Sequence, residues 1–311
     1  MVGLSLATFT TDMNPALALT IYAVLMAGHF AAEPARWRLL FRDNCGWSFA
    51  KWFHLHNVTA LLSYLLPAKL GVPLRIGLLR QQTQLPMNTV LAGLGLDAVI
   101  NYGTWALVAA ALAVGSPALR ERFTSKNSLL LLAVIPLAAV IGLSIRRSGK
   151  KDQAADGDRS GANLGGLQGA LRAVSQLPAH RLALILSVVL ADVLAEGLRQ
   201  ACLAAGLGIS VPLSTMMMIG IIGFAAGLFS FMPMGLGAYD AVVILLLSGT
   251  GVQPAQLVGL LAGNRLALIV FSGVLGSIGA VRLGFHPRQL RAFRDLVLRR
   301  KQAAQPDQTE S

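Results

Sequence analysis

Charge, cysteine and polar sequence are all scarce in this 311-residue chain. Asp, Glu, Lys and Arg together make up 13% of it, and only 14 residues are acidic. Stretches polar enough for a soluble domain are limited to 146–176 and the tail after Val281, each too short to bury a core of its own. Cys45 falls in a loop between helices and Cys202 in a helix, which excludes a disulfide framework and suggests no redox chemistry. No nucleophile and base pair, phosphate loop or dinucleotide fingerprint occurs. The chain is therefore read as not an enzyme, with no cofactor. His54 and His56 are two positions apart, so they diverge on a helix without Cys or carboxylate companions, and no metal is expected. The first apolar run, Pro15 to Ala32, has no Lys or Arg before it and lacks the basic flank of a secretory signal, so it should remain as a membrane helix.

What the chain does have is hydrocarbon. Apolar residues supply 55% of it, in runs of roughly 20 residues such as bilayer-crossing helices need. Spans are expected at Pro15–Ala32, Trp52–Leu66, Pro86–Val114, Ser128–Ile145, Leu182–Gly206, Pro212–Phe231 and Pro254–Val281. Two shorter apolar segments, Ala68–Gln81 and Ala238–Ser248, lie between them and reach only part of the ~30 Å hydrocarbon core. The fold class is thus all-α: one polytopic integral-membrane domain. Its first half is 1–145, a cytoplasmic linker covers 146–181, the second half is 182–281, and a basic tail covers 282–311.

Positive charge sets the sidedness. Of 26 Lys and Arg, four lie in 36–51, seven in 146–181 and seven in 282–301, and these stretches read as cytoplasmic. The N-terminus is then outside and the C-terminus inside. Counting the first short segment as a crossing satisfies that arrangement, whereas a re-entrant hairpin fits its length better. Basic loops between apolar spans lack the aromatic-interleaved basic face of a nucleic-acid binder, so no nucleic acid is expected. Arg36, Trp37, Arg38 and Arg42 read as an interfacial anchor after the first span. The tail 286–301 alternates apolar residues with arginines, as does a helix lying on an anionic lipid surface.

The short segments repeat one another. Pro67-Ala68-Lys69-Leu70-Gly71 and Pro233-Met234-Gly235-Leu236-Gly237 share Pro-x-x-Leu-Gly. Asp97 follows Pro86 by eleven positions, and Arg265 follows Pro254 by eleven. Arg75 follows Pro67 by eight positions and Asp240 follows Pro233 by seven, again opposite in sign. A duplicated unit with a helix break and a deep charge is the pattern of transporters built from inverted repeats. Asp97 and Arg265 should lie near the bilayer midplane, where a lone charge costs roughly 2.5–3.5 kcal/mol and must face protein or water. Two readings stand: a structural ion pair, or a polar cavity for a charged substrate. The quartet Arg75, Asp97, Asp240 and Arg265 can close as two salt bridges, with the pairing open. Pro67 and Pro233 break the helices, and Gly71, Gly235 and Gly237 allow close backbone approach there. A secondary cluster, Asp192, Glu196 and Arg199, shares one helix face at i, i+4 and i+7, either as a self-neutralising pair or in transport.

These motifs resemble the flippase-like family typified by the transmembrane region of lysylphosphatidylglycerol synthase. Carrying the resemblance are Leu66 to Gly71 with Arg75, Leu94-Gly95-Leu96-Asp97, Pro233 to Asp240, and Gly263-Asn264-Arg265. Met234 in place of glycine, and Asp in place of Glu at 97 and 240, depart from its pattern. The resemblance implies a translocator of polar or charged membrane lipids in a bacterial inner membrane, without the lipid-making domain. The alternative is an accessory protein or enzyme of lipid or hopanoid biosynthesis or of polyprenyl-linked sugar transfer. Membrane lipids are the expected partners, and a second copy of the chain or a lipid-biosynthesis protein are the protein partners this reading allows.

Overall fold

A computed structural model describes residues 13–65, 71–115, 177–229, 235, 237–248 and 250–285. Every element among these residues is a helix: α1 Pro15–Leu40, α2 Phe49–Leu65, α3 Gly71–Thr83, α4 Met87–Gly115, α5 Ala179–Gly206, α6 Leu213–Phe229, α7 Ala238–Leu247 and α8 Pro254–Arg282. Three of them, α1, α4 and α8, are long and apolar enough to cross a membrane. The span 128–145, most of the linker, the tail from His286, Pro67 and Pro233 lie outside the described residues.

Local chemistry fixes the helix ends. Asn14 caps α1 by accepting the Ala16 N–H at 2.9 Å, and Pro15 fills the first helical position where no N–H is needed. The expected end at Ala32 is wrong by eight residues, because Pro34 is tolerated within the helix and Glu33, Arg36 and Trp37 all find partners beyond it. Arg36 and Trp37 are consequently buried and do not anchor at an interface. The two short segments are helices of 13 and 10 residues, about 20 and 15 Å long.

Packing gives the helix directions. Asp43, just past α1, takes two hydrogen bonds from Arg181 in the first turn of α5, at 2.5 and 3.0 Å. Gly206 at the far end of α5 lies against Leu19 near the start of α1. The two helices therefore run antiparallel. Gly279 and Gly276 of α8 lie against the backbone of His54 and Asn57 of α2, while Gln256 at the other end of α8 donates to the Gly208 carbonyl. Such bare glycine surfaces let membrane helices approach closely. Gly93 of α4 meets Phe41, so α4 starts at the same end at which α1 finishes. Arg42, Lys51, Arg181 and Arg282 thus gather at one end of the bundle. At the opposite end α7 returns toward the start of α6, with Leu246 and Leu247 clustered beside Ile209, Val211 and Leu213. A second core contains Trp37, Trp52 and Trp105, with Trp37 edge-on to Trp52 and Trp105 against Phe224.

Candidate functional site

The bundle interior carries five carboxylates among the described residues, each against a basic side chain. On α4, Asp97 accepts from Arg36 Nε at 2.8 Å and from Trp37 Nε1 at 3.3 Å. Both members of this ion pair are buried, with side chains 2% and 8% exposed. On α3, Arg75 bonds Glu33 of α1 and lies over the Trp37 ring, 5.1 Å from its centroid. His56 of α2 completes this group at 3.7 Å from the other Glu33 oxygen. On α7, Asp240 bonds Arg265 of α8 and also accepts the Gly237 N–H at 3.1 Å. An acid in the first turn of a helix complements the partial positive charge there.

Of the expected quartet, then, Asp240 and Arg265 meet as a pair. Arg75 and Asp97 each bond a residue of α1 that the sequence pattern did not place in the site. The two outer pairs differ from Arg36–Asp97 in one respect: Glu33, Arg75, Asp240 and Arg265 are all between 20% and 25% exposed. They are open to whatever surrounds the bundle, whereas Arg36–Asp97 is sealed.

The break before α7 is built from glycine. Gly235 and Gly237 have φ of 68° and 85°, which side chains other than glycine seldom adopt. A Cβ on Gly235 would come within 2.7 Å of the Gly227 Cα, so the break packs backbone to backbone on α6. Gly71 opens α3.

On α5 all three secondary residues face inward. Glu196 bonds Arg199 one turn on and accepts from Gln200 at 3.0 Å, while Arg199 Nη1 also reaches the Met26 sulfur at 3.0 Å. Asp192 crosses to α1, where His29 Nδ1 lies 2.9 Å from its Oδ1. Tyr22 donates to Asn264 at 3.2 Å, and Asn264 in turn donates to Tyr239 at 3.5 Å, joining α1, α8 and α7.

A signal for the overlooked α1 residues was in the sequence. His29, Glu33 and Arg36 have the same i, i+4, i+7 spacing as Asp192, Glu196 and Arg199, and Ala32-Glu33-Pro34 aligns with Ala195-Glu196-Gly197. His29 and Asp192, the matched first members of the two stripes, are the ones that touch. Outside the spans, the hydrogen bond from Arg181 holds the Asp43 carboxyl below the usual carboxylate range, which favours the charged tie at the basic end.

Among the described residues no group of three or more His, Cys, Asp or Glu is arranged to hold a metal. A family model described as lysylphosphatidylglycerol synthase TM region matches residues 3–276. No curated protein and no solved structure matches the chain.

Proposed function

Because the chain belongs to the family of the lysylphosphatidylglycerol synthase transmembrane region, we propose that it moves a lipid with a polar or charged headgroup between the leaflets of a bacterial inner membrane. The observation that carries this is the partly exposed ion pair at the start of each short helix, Glu33–Arg75 at α3 and Asp240–Arg265 at α7. Each offers an arginine for a headgroup phosphate and a carboxylate for a headgroup amine or hydroxyl. A lipid headgroup entering the bundle exchanges contacts with these pairs while its acyl chains stay in hydrocarbon. Arg75 Nε is a buried donor with no hydrogen-bond partner among the described residues, which suits an anionic group at the first pair.

Inverted halves give the movement its geometry. The matched stripes on α1 and α5, the antiparallel run of those helices and the contact between His29 and Asp192 support a pseudo-twofold axis through that contact. In this reading α2, α3 and α4 correspond to α6, α7 and α8, entered from opposite faces, and the halves rock about the short helices. The basic end faces the cytoplasm. Lipid is moved without bond chemistry, the site residues being Arg75, Asp240 and Arg265 with Glu33.

A second reading, a lipid-biosynthesis assembly factor whose charges only hold helices together, draws its support from the sealed Arg36–Asp97 pair. Purified protein in vesicles, assayed for flipping of an acyl-labelled phosphatidylethanolamine, separates the two. Arg75→Gln and Arg265→Gln should each slow flipping by roughly tenfold or more, the scale of a lost hydrogen bond to a charged group. Wild-type rates in both variants would leave the assembly reading in place.

A further inference from the structure

Four of the five interior carboxylates among the described residues are matched to an arginine; the fifth, Asp192, is matched to an imidazole. Imidazole is the side chain that ordinarily changes charge under cellular conditions. We propose that His29–Asp192 is a proton-binding site coupled to lipid translocation, an inference that rests on the transport reading above.

The geometry assigns the atoms. His29 Nδ1 is committed to Asp192 Oδ1 at 2.9 Å, so an arriving proton adds to Nε2 and converts the ring to imidazolium, with no other bond made or broken. The ring stands edge-on to Phe30 and Phe224, each 5.8 Å away, yet its side chain remains 20% exposed and reachable. Asp192 is only 7% exposed. When His29 is neutral, the carboxylate is left deep in the bundle beside an uncharged partner, which loosens the contact between α1 and α5.

Neighbouring groups do not substitute for that proton. On α1 itself, Glu33 is held by Arg75 of α3 and Arg36 by Asp97 of α4. On α5, Glu196 is held by Arg199, and on α8 Arg265 is held by Asp240 of α7. From α2 comes His56, which lies beside Glu33, and α6 presents Phe224 to the ring. Position adds a second argument: His29 and Asp192 are equivalent members of the two stripes and meet each other, so a charge change there acts on the contact between halves.

Two measurements decide it. In vesicles of phosphatidylethanolamine and phosphatidylglycerol, flipping of the labelled phosphatidylethanolamine by wild type should change by roughly tenfold when a pH gradient is imposed, the scale of an ordinary coupling, and His29→Gln should flip without responding. Equal responses in the two proteins, or no response in wild type, would overturn the coupling while leaving translocation intact. In detergent, the wild-type unfolding midpoint should depend on pH, and His29→Gln and Asp192→Asn should each flatten that profile. Identical pH profiles in all three proteins would overturn the proton site even if no flipping were seen. A flattened profile without flipping of the probe by any protein would keep the proton site and reject its coupling to transport.

Discussion

Two ion pairs of like composition hold different positions in this molecule, and burial separates their roles. Arg36–Asp97 is sealed and further tied by Trp37, so removing one partner strands a charge; Asp97→Asn should cost about 3–5 kcal/mol. Denaturant unfolding in micelles reads this directly, and a loss below about 1 kcal/mol would deny the pair its locking role. Asp97 and Arg265 were legible as deep charges because an isolated ionised residue within a long apolar run must be turned toward protein or water. Arg36 was not, because a basic residue just past a long, largely apolar run looks like an interfacial anchor until its partner on another helix is known. Glu33 and His29 were hidden for a related reason: their significance lies in matching Asp192, Glu196 and Arg199, a repeat of spacing more than of residue type.

Helices meet here through glycine as much as through side chains. A Cβ on Gly220 of α6 would come within 2.8 Å of the Gly197 Cα and 2.9 Å of the Glu196 carbonyl oxygen on α5. Gly220→Leu should therefore force the helices apart and cost about 1–3 kcal/mol by overpacking, while Gly103→Leu, where a Cβ meets nothing within 4 Å, should be tolerated. Thermal unfolding of the two variants in detergent makes the comparison, and equal midpoints would contradict the packing described. Helix starts after Pro86 and Pro254 were readable, since proline at or next to the first helical position needs no N–H partner. The end of α1 was not, since a proline usually marks a boundary and here sits inside the helix.

At the scale of the whole molecule, charge bias predicted one basic end, and Asp43–Arg181 ties two basic stretches there. Sequence could not say how the quartet pairs, because pairing depends on which helices touch. The structure couples each short helix to a different partner, α3 to α1 and α7 to α8. Interchanging the charges of one partly exposed pair tests the transport account most directly. Asp240→Arg with Arg265→Asp keeps a salt bridge between α7 and α8 but turns the site's polarity around. If the pair handles a headgroup, the doubly exchanged protein should lose only about 1–3 kcal/mol of stability, the cost of the Gly237 N–H contact and of a cation in the first turn of α7, and flip the labelled lipid at least roughly tenfold more slowly; flipping at the wild-type rate would contradict it.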